Sequence, residues 1–473
     1  MAKRKLSTFE RLQRGERVDR RERRQLQRQL ESCDPQLKIV HPDAAGIDVG
    51  NASHFVSVPG GRDQKPVREF GSWTADLHKA AAWLKSCGIR TVATQSTGVY
   101  WIALQEVLEQ AGLEVFLVNA QGTKNLPGRK SDVQECQWLM KLHTYGLLRN
   151  SFRPPEQIRG VRTLWRQRSR LVEDAGSRVQ QMQKALTTMN VQLANAISDI
   201  SGTTGMAIVR AIVGGQRDPH ALAKLRDRRI QASEEEIAHS LEGHWREEVI
   251  FELKQVVGAY DFHQKQIAEC DVEIGIRMGK LGSHPSQEQK EDVGEKAVRK
   301  PRKNQPSFDL RGELHRIFGV DLTRIDGIDV MTAQVILTEL GPDLSAFPSE
   351  GEFSSWLELV TRNDITGGKT IRKKARKSKN RVANALRMAA ECLSRSDSYL
   401  GARYRKFRGR MEGQPAVKAM AHYLARLVYR LLTKGQEYVD KGAAHFERKR
   451  KERDVANLQR KAAELGMKLV AAQ

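Results

Sequence analysis

Residues 41–150 alternate short apolar runs with amphipathic segments, and this alternation constrains the fold more than any other feature of the chain. Strands that alternate with helices are typical of an α/β domain built on a central sheet. A basic, glycine-containing loop, Gln121–Lys130, leads into a last helix, for which Ser131 is a good N-cap. The predicted strands are Ala44–Pro59 (a strand pair or one long strand), Pro66–Trp73, Thr91–Gln95 and Glu114–Val118, and the other predicted helices are Asp76–Ser86 and Tyr100–Gln110.

Oxygen-bearing side chains stand at the ends of these elements. Asp48 lies in the first strand, Gln95 ends a later strand, and Asp132 and Glu135 open the last helix. The last two are three residues apart, so they share one helix face. Acidic side chains from separate elements are typical ligands of Mg²⁺, which in turn binds phosphodiester oxygens. The sequence therefore predicts a metal-dependent nuclease core.

The charge of the chain indicates its class of partner. The formal net charge is +23 at pH 7, with a pI of about 9.9, which favours a polyanion such as nucleic acid. No apolar run approaches the ~18 residues of a membrane span, and no signal peptide is recognised, so we expect no membrane association. The five cysteines are scattered without metal-binding spacing, which indicates a reducing cytoplasm and argues against zinc.

The middle of the chain is predicted to be helical. A long helix over residues 157–195 carries an apolar seam in heptad spacing, which fits either a core helix of a bundle or a coiled coil between protomers. Residues 196–280 show further helical periods, and the polar stretch that follows is predicted to be a linker. The seam consists of Ala175, Val179, Met182, Leu186, Met189 and Leu193.

A second globular unit is predicted over residues 314–436. The segment around Asp329 resembles a helix–hairpin–helix, although this aspartate stands where a glycine is usual, and its helix runs to Leu340. Ser378–Arg395 and Pro415–Lys434 are predicted helices, and a charged helical tail follows. At the other end of the chain, residues 1–40 form a basic arm, either a phosphate-binding helix or a disordered tail.

A hydroxyl and a dense run of cations define a second candidate site. Thr366 lies in a predicted loop beside Gly367 and Gly368, where a phosphate can approach closely, so it is a candidate nucleophile. The alternative is a glycine turn followed by a phosphate-binding basic loop. Ser378 is a further hydroxyl, with a helix cap as its more ordinary role. The residues predicted to bind nucleic acid are Arg129, Lys130, Lys369, Arg372, Lys373, Lys374, Arg376 and Lys377.

Five short segments together resemble one known family. The resemblance is to the IS110 insertion-sequence transposases, also called bridge-RNA-guided recombinases, and it covers about residues 44–440. It implies an α/β plus α chain, with an N-terminal RNase H/RuvC-like DEDD domain, a helical coiled coil with an insertion, and a mainly helical C-terminal transposase domain. The segments are Gly46–Val49, Ser96–Trp101, Pro127–Val133, His143–Leu148 and Ile365–Lys369.

The resemblance implies a domain order and a set of partners. The partners are element-end and target DNA, a structured non-coding guide RNA, and further copies of the chain as a homodimer or homotetramer. One protomer's RuvC-like domain and another's Thr366 loop would form one site, in the cytoplasm of a bacterial cell and associated with the nucleoid. Together with the residue patterns described above, the resemblance predicts the following domains: a basic arm (1–40), the RuvC-like domain (41–150), the coiled-coil and helical region (151–282), a linker (283–313), the transposase domain (314–436) and a basic tail (437–473).

The resemblance also implies roles for individual residues. Family members hold Mg²⁺, which Mn²⁺ can replace, with four acidic residues. Asp48 and Asp132 match the first and third acids, whereas Gln95 stands for a glutamate and Glu135 for an aspartate. Thr366 corresponds to the family's nucleophilic serine.

These departures leave three functions open. The first is an active recombinase with Thr366 as nucleophile. The second is a metal-dependent, junction-resolving nuclease that uses water. The third is a copy that binds nucleic acid without cutting it, since Gln95 lacks the negative charge that would strengthen metal binding.

Overall fold

The computed structural model describes residues 38–96, 98–119, 131–284, 304–366, 369–374, 379–411, 413–435 and 442–464, together with a few residues near the two ends. The chain divides into two compact units, Met1–Arg153 and Pro154–Gln473. Most of the predicted arm and linker, and the whole predicted loop Gln121–Lys130, lie outside the described residues. Within the described ranges, no helix is both long and apolar enough to cross a membrane.

A five-stranded mixed sheet forms the centre of the N-terminal unit, in the order β3-β2-β1-β4-β5. β1, β4 and β5 are parallel, and β2 is antiparallel to both β1 and β3. The predicted central sheet is thereby confirmed, and the first strand segment is a pair. The elements are β1 (Ala44–Val49), β2 (Ser53–Ser57), β3 (Val67–Gly71), α1 (Thr74–Ser86), β4 (Thr91–Gln95), α2 (Trp101–Gln110), β5 (Glu114–Val118) and α3 (Asp132–Thr144).

Successive residues of β1 face opposite sides of the sheet and pack against different helices. Ala45, Ile47 and Val49 are buried in an apolar cluster with side chains of α1 and α2. Gly46, on the opposite face, lies against α3. Because side chains alternate along a strand, Asp48 falls on the same face as Gly46. The sheet is therefore covered on both faces, and α3 covers the face that carries Asp48.

The C-terminal end of α3 is anchored at the start of β1. The backbone amides of Val40 and His41 both donate to the Thr144 carbonyl at 2.9 Å. Next to Thr144, His143 is fully buried, and its Nε2 lies 2.7 Å from Thr91 Oγ1. The His143 ring is stacked on His41 and tilted against Phe116, with centroids 4.6 Å away in each case. α3 therefore runs antiparallel to β1.

Two 33-residue helices dominate the first part of the C-terminal unit. They pack along each other, and four shorter helices lie between them in sequence. The helices are α4 (Glu156–Thr188), α5 (Leu193–Ala196), α6 (Thr203–Val213), α7 (Pro219–Ala223), α8 (Glu234–Ser240) and α9 (Glu247–Gly279).

The predicted heptad seam packs against other helices of the same chain. Met182, Leu186 and Met189 are buried in one cluster with residues of α6, α8 and α9, which is the bundle alternative. The long helix also ends earlier than predicted, at Thr188. Asn190 takes a left-handed conformation with φ 59°, which ends a helix and which asparagine tolerates better than most residues.

The rest of the C-terminal unit is mostly helical, as predicted. At the start of one helix, the Asp329 side chain accepts a hydrogen bond from the Thr332 amide at 2.9 Å. This aspartate is therefore a helix N-cap, which accounts for its place in the helix–hairpin–helix-like segment. The elements are α10 (Leu310–Phe318), α11 (Val330–Leu340), α12 (Glu350–Trp356), β6 (Arg362–Thr366), β7 (Lys369–Lys374), α13 (Arg381–Cys392), α14 (Tyr399–Arg408), α15 (Gln414–Lys434) and α16 (Gly442–Glu464).

Two local predictions in this part are wrong. The segment that contains Thr366 is not a loop, because β6 and β7 pair as an antiparallel hairpin. The helix predicted from Ser378 begins instead at Arg381 as α13, and the side chain of its N-cap, Asn380, accepts from the Ala383 amide at 3.1 Å. Asparagine is among the strongest N-cap residues, so the helix starts there. Ser378 itself lies outside the described residues.

Candidate active site

Asp48 and Gln95 stand side by side at the carboxyl ends of two parallel strands. The register between β1 and β4 pairs Ile47 with Thr94, and Asp48 and Gln95 are the next residue on each strand. Residues in register on parallel strands point to the same face of the sheet. Thr91 of β4 contacts His143 of α3. Gln95 is four residues later on the same strand, so its side chain also lies on the face that α3 covers. Adjacent strands are ~4.8 Å apart, so the two side chains are near neighbours.

The first turn of α3 lies at this same edge of the sheet. A Cβ on Gly46 would lie 2.9 Å from Met140 Cα and would overlap backbone atoms of Cys136. The helix backbone therefore rests directly on β1, which only a glycine allows. Since α3 runs antiparallel to β1, its N-terminus projects past Gly46 towards Asp48.

The start of α3 is fixed by its own cap. Ser131 Oγ accepts from the Gln134 amide at 3.3 Å, which confirms the predicted N-cap. Asp132 and Glu135 follow in the first turn, where carboxylates interact favourably with the helix dipole.

The pKa of the Cys136 thiol is affected by two of the candidate-site carboxylates. This side chain is fully buried, and its Sγ donates to the Val133 carbonyl at 3.1 Å. The pKa of Cys136 is raised to about 12, mainly by burial and to a lesser extent by the negative charges of Asp48 and Asp132. Both carboxylates therefore act on the same thiol, one from the sheet and one from the helix.

The side chains at this edge differ in their access to solvent. Gln95 is only 4% exposed, Asp48 is half-buried, and Asp132 is exposed, while Glu135 is intermediate. The edge thus runs from the interior of the sheet to the surface, which suits a ligand that arrives from solvent. In the described part of the chain, which omits residues 120–130, no group of three Asp, Glu, His or Cys side chains forms a metal site.

The donor atoms at this edge are nevertheless of the type that a hard divalent cation needs. Asp48, Asp132 and Glu135 offer carboxylate oxygens, and Gln95 offers an amide oxygen. The structure brings Asp48 and Gln95 together on one face and places Asp132 near Asp48.

The second candidate site lies on the β6–β7 hairpin of the C-terminal unit. Thr366 ends β6 and pairs with Lys369, the first residue of β7; Asp364 pairs with Arg372, and Asn363 with Lys373. Lys374 closes β7 opposite Arg362. The predicted phosphate-binding residues Arg129, Lys130, Arg376 and Lys377 lie outside the described residues.

Sequence reasoning missed the two features that shape the first site. Gly46 was read only as part of a motif, because its role depends on which helix covers β1. The helix predicted to begin at Tyr100 begins at Trp101, and Val99 and Tyr100 before it are exposed. Two large apolar residues directly after a glycine are the signal that the sequence offers.

The mixed sheet with helices on both faces is an RNase H-like fold. Residues 45–191 match the family model of the DEDD domain of IS110 elements, described as a transposase. Residues 321–405 match a second model, described as a transposase of the IS116/IS110/IS902 family. The chain therefore belongs to the IS110 family of transposases, and it is an enzyme of that class. No curated protein matches the chain.

The two matches include both candidate sites. The first covers Asp48, Gln95, Asp132 and Glu135, and the second covers the hairpin with Thr366. Membership implies DNA as a partner and a divalent metal for the DEDD domain.

Proposed function

We propose that this transposase excises and inserts a mobile element by attack of the Thr366 hydroxyl on DNA phosphodiesters. The observation that carries the proposal is the shared sheet edge, where Asp48 and Gln95 lie on the face that α3 covers and Asp132 opens that helix. Oxygen donors from two strands and a helix suit the metal that the family implies.

The metal ligands would be Asp48, Gln95, Asp132 and Glu135, with Mg²⁺ as the natural cation and Mn²⁺ able to replace it. A bound divalent cation neutralises charge on the oxygens of the scissile phosphate. Gln95 contributes an oxygen without charge, so this site should bind the cation more weakly than one with a fourth carboxylate.

Thr366 would act as the nucleophile. Its Oγ forms a bond to phosphorus, and the bond from phosphorus to the leaving deoxyribose oxygen breaks. The Oγ proton is lost, and the leaving oxygen gains a proton, so a phosphothreonine ester and a free sugar hydroxyl result. Because one phosphoester replaces another, reversal onto a second strand joins DNA without ATP.

Cations of β7 would hold the phosphates beside Thr366. Lys369 pairs with Thr366 across the hairpin, and Arg372 and Lys373 follow on the same strand. Backbone pairing keeps β7 next to the end of β6, and positive charge near the phosphate would lower the cost of the pentavalent transition state.

A structured guide RNA would select the DNA. The net charge of +23 exceeds what one phosphate-binding hairpin needs, and it supports a large nucleic-acid surface. Guidance by base pairing would account for a strongly basic protein that reads sequence through RNA. Homodimers or homotetramers would bring two DNA strands together.

The test is a denaturing gel of the full chain with Mg²⁺, labelled element-end DNA and RNA transcribed from the element's flank. Wild type is run beside Thr366→Ala and Thr366→Ser, because serine keeps the hydroxyl and removes only a methyl group. A protein–DNA band that requires RNA, persists with serine and disappears with alanine is the expected result. Cleavage without such a band, unchanged in Thr366→Ala, would instead establish a hydrolytic nuclease with water as nucleophile.

A further inference from the structure

The turn after β4 presents large apolar side chains beside the candidate active site. Val99 is 68% exposed, Tyr100 is 44% exposed and Ile102 is 38% exposed. They follow Gln95 within seven residues, at the carboxyl edge that carries Asp48. A cluster of exposed large apolar side chains is typical of a binding surface, whereas single ones are common anywhere.

The described residues of this turn, Ser96 and 98–102, make several contacts that hold them in place. Ser96 is tied to β5, because its amide and its Oγ donate to the Val118 carbonyl at 3.1 and 3.3 Å. Gly98 adopts φ +57°, and a Cβ at that position would lie 3.3 Å from the Tyr100 ring. The ring therefore rests against the glycine backbone, and any added side chain would displace it.

Trp101 locks the other side of the turn. Its Nε1 donates to the Gly98 carbonyl at 3.1 Å, and the Arg153 guanidinium lies 4.9 Å from its ring centroid. Arg153 is in turn paired with Glu109 at 3.5 Å. Tyr100 thus projects from a fixed support, and binding there needs little ordering of the protein.

The chemistry of the turn selects a ligand. Residues 96–102 contain no charged side chain, so the turn is unsuited to gripping phosphate and suited to a flat, neutral ring. In DNA that ring is a base, and its face is free to stack on an aromatic side chain only where the strand is unpaired.

We infer that Tyr100 is a stacking platform for an unpaired base of the DNA strand at this edge, with Val99 and Ile102 completing the apolar surface. The inference rests on the proposed function, because it takes DNA to be the substrate at this edge. Tyr100 is a binding residue that positions the strand, and it takes no part in bond making.

The probe is a single-stranded oligodeoxynucleotide that carries one 2-aminopurine, whose fluorescence falls when the base stacks. The full chain is titrated with it, with and without Mg²⁺, as wild type, Tyr100→Phe and Tyr100→Leu. Wild type and phenylalanine should quench the fluorescence. Leucine should abolish quenching and weaken single-strand binding about tenfold or more, because it keeps the apolar volume but loses the ring.

Two comparisons separate stacking from other effects. Phe262→Leu replaces an exposed aromatic residue of α9 and should leave quenching unchanged. The slope of binding against salt concentration should be the same in wild type and Tyr100→Leu, because stacking releases no counterions.

Quenching by Tyr100→Leu equal to that of wild type, or no quenching by wild type in either buffer, would overturn the inference. The proposed function is judged separately by the protein–DNA adduct. Thr366→Ala should lose the adduct and keep the quenching. If wild type quenches but forms no adduct, the proposed nucleophile fails and the stacking platform stands.

Discussion

Gly46 of β1 lies directly beneath the backbone of Cys136 in α3, with no room for a side chain between them. This contact sets the height of the helix above the sheet, and the helix carries Asp132 to the edge where Asp48 and Gln95 stand. The geometry of the candidate metal site therefore depends on Gly46, which has no side chain to act as a ligand.

Gly46→Ala should shift α3 and disable the site. The added methyl group overlaps backbone atoms that cannot rotate away, so the free energy of unfolding should fall by about 1–3 kcal/mol, and cleavage should fall further than stability alone explains. Gly60→Ala is the matched control, because a Cβ at Gly60 meets nothing within 4 Å. Thermal melting and cleavage of both variants check this; equal effects at the two glycines would contradict the account.

Gln95→Glu should lower the Mg²⁺ concentration that half-maximal cleavage requires. The change restores a carboxylate beside Asp48, which strengthens binding of a hard cation. Gln95 is 4% exposed, so the variant should also be less stable than wild type without metal, because two carboxylates would then repel each other. Mg²⁺ titrations of cleavage and of melting temperature measure both effects. An unchanged Mg²⁺ requirement would remove Gln95 from the metal site.

His143 should make the protein sensitive to acid. Burial, and to a lesser extent the charge of His41, lowers the pKa of His143 from 6.5 to about 3. The unfolded chain therefore binds a proton that the folded chain excludes, so stability present above pH 6.5 is lost as the pH falls towards 3, by about 1.4 kcal/mol per pH unit.

His143→Gln should flatten that pH dependence of melting, because glutamine does not titrate. His78 is an exposed histidine of α1, and His78→Gln should leave the pH profile as in wild type. If His143→Gln melts with the wild-type profile, the buried histidine does not control acid stability.

The buried pair of Arg168 and Asp271 should hold the two long helices together. Both side chains are nearly inaccessible, at 2% and 5% exposure, and they join α4 to α9 by two hydrogen bonds. Asp271→Asn should cost about 3–5 kcal/mol in urea unfolding, because it leaves a buried charge unpaired. Removal of the exposed pair Glu273–Arg277 by Glu273→Gln should cost less than about 0.5 kcal/mol. Equal losses of unfolding free energy in Asp271→Asn and Glu273→Gln would contradict the role of the buried pair.

The sheet of the N-terminal unit was largely predictable, whereas the hairpin was not. β4 and β5 have the predicted bounds, because continuous apolar runs between turn residues are typical of buried parallel strands. The strands β6 and β7 are mostly polar or charged, so no apolar alternation marks them. The signal available in the sequence is the Gly-Gly pair at 367–368, because this dipeptide favours a hairpin between the segments that flank it.

The residues of the candidate site could be proposed from the sequence, but the helix packing and the turn around them could not. Strand ends and a helix start are visible in sequence, so Asp48, Gln95 and Asp132 could be proposed together. The seam of the long helix was ambiguous, because heptad spacing does not say whether the partner helix belongs to the same chain. The exposure of Tyr100 could not be predicted, because it depends on how the chain turns at Gly98 in the folded protein.

Peptide mass spectrometry of the protein–DNA adduct tests the central claim most directly. Adduct formed by the full chain with RNA, Mg²⁺ and element-end DNA is digested with protease and nuclease, and the modified residue is located by fragmentation. We predict a nucleotide esterified to Thr366, and its transfer to serine in Thr366→Ser. An adduct on another hydroxyl, such as Ser378, or complete cleavage with no modified peptide, would contradict the assignment of Thr366 as the nucleophile.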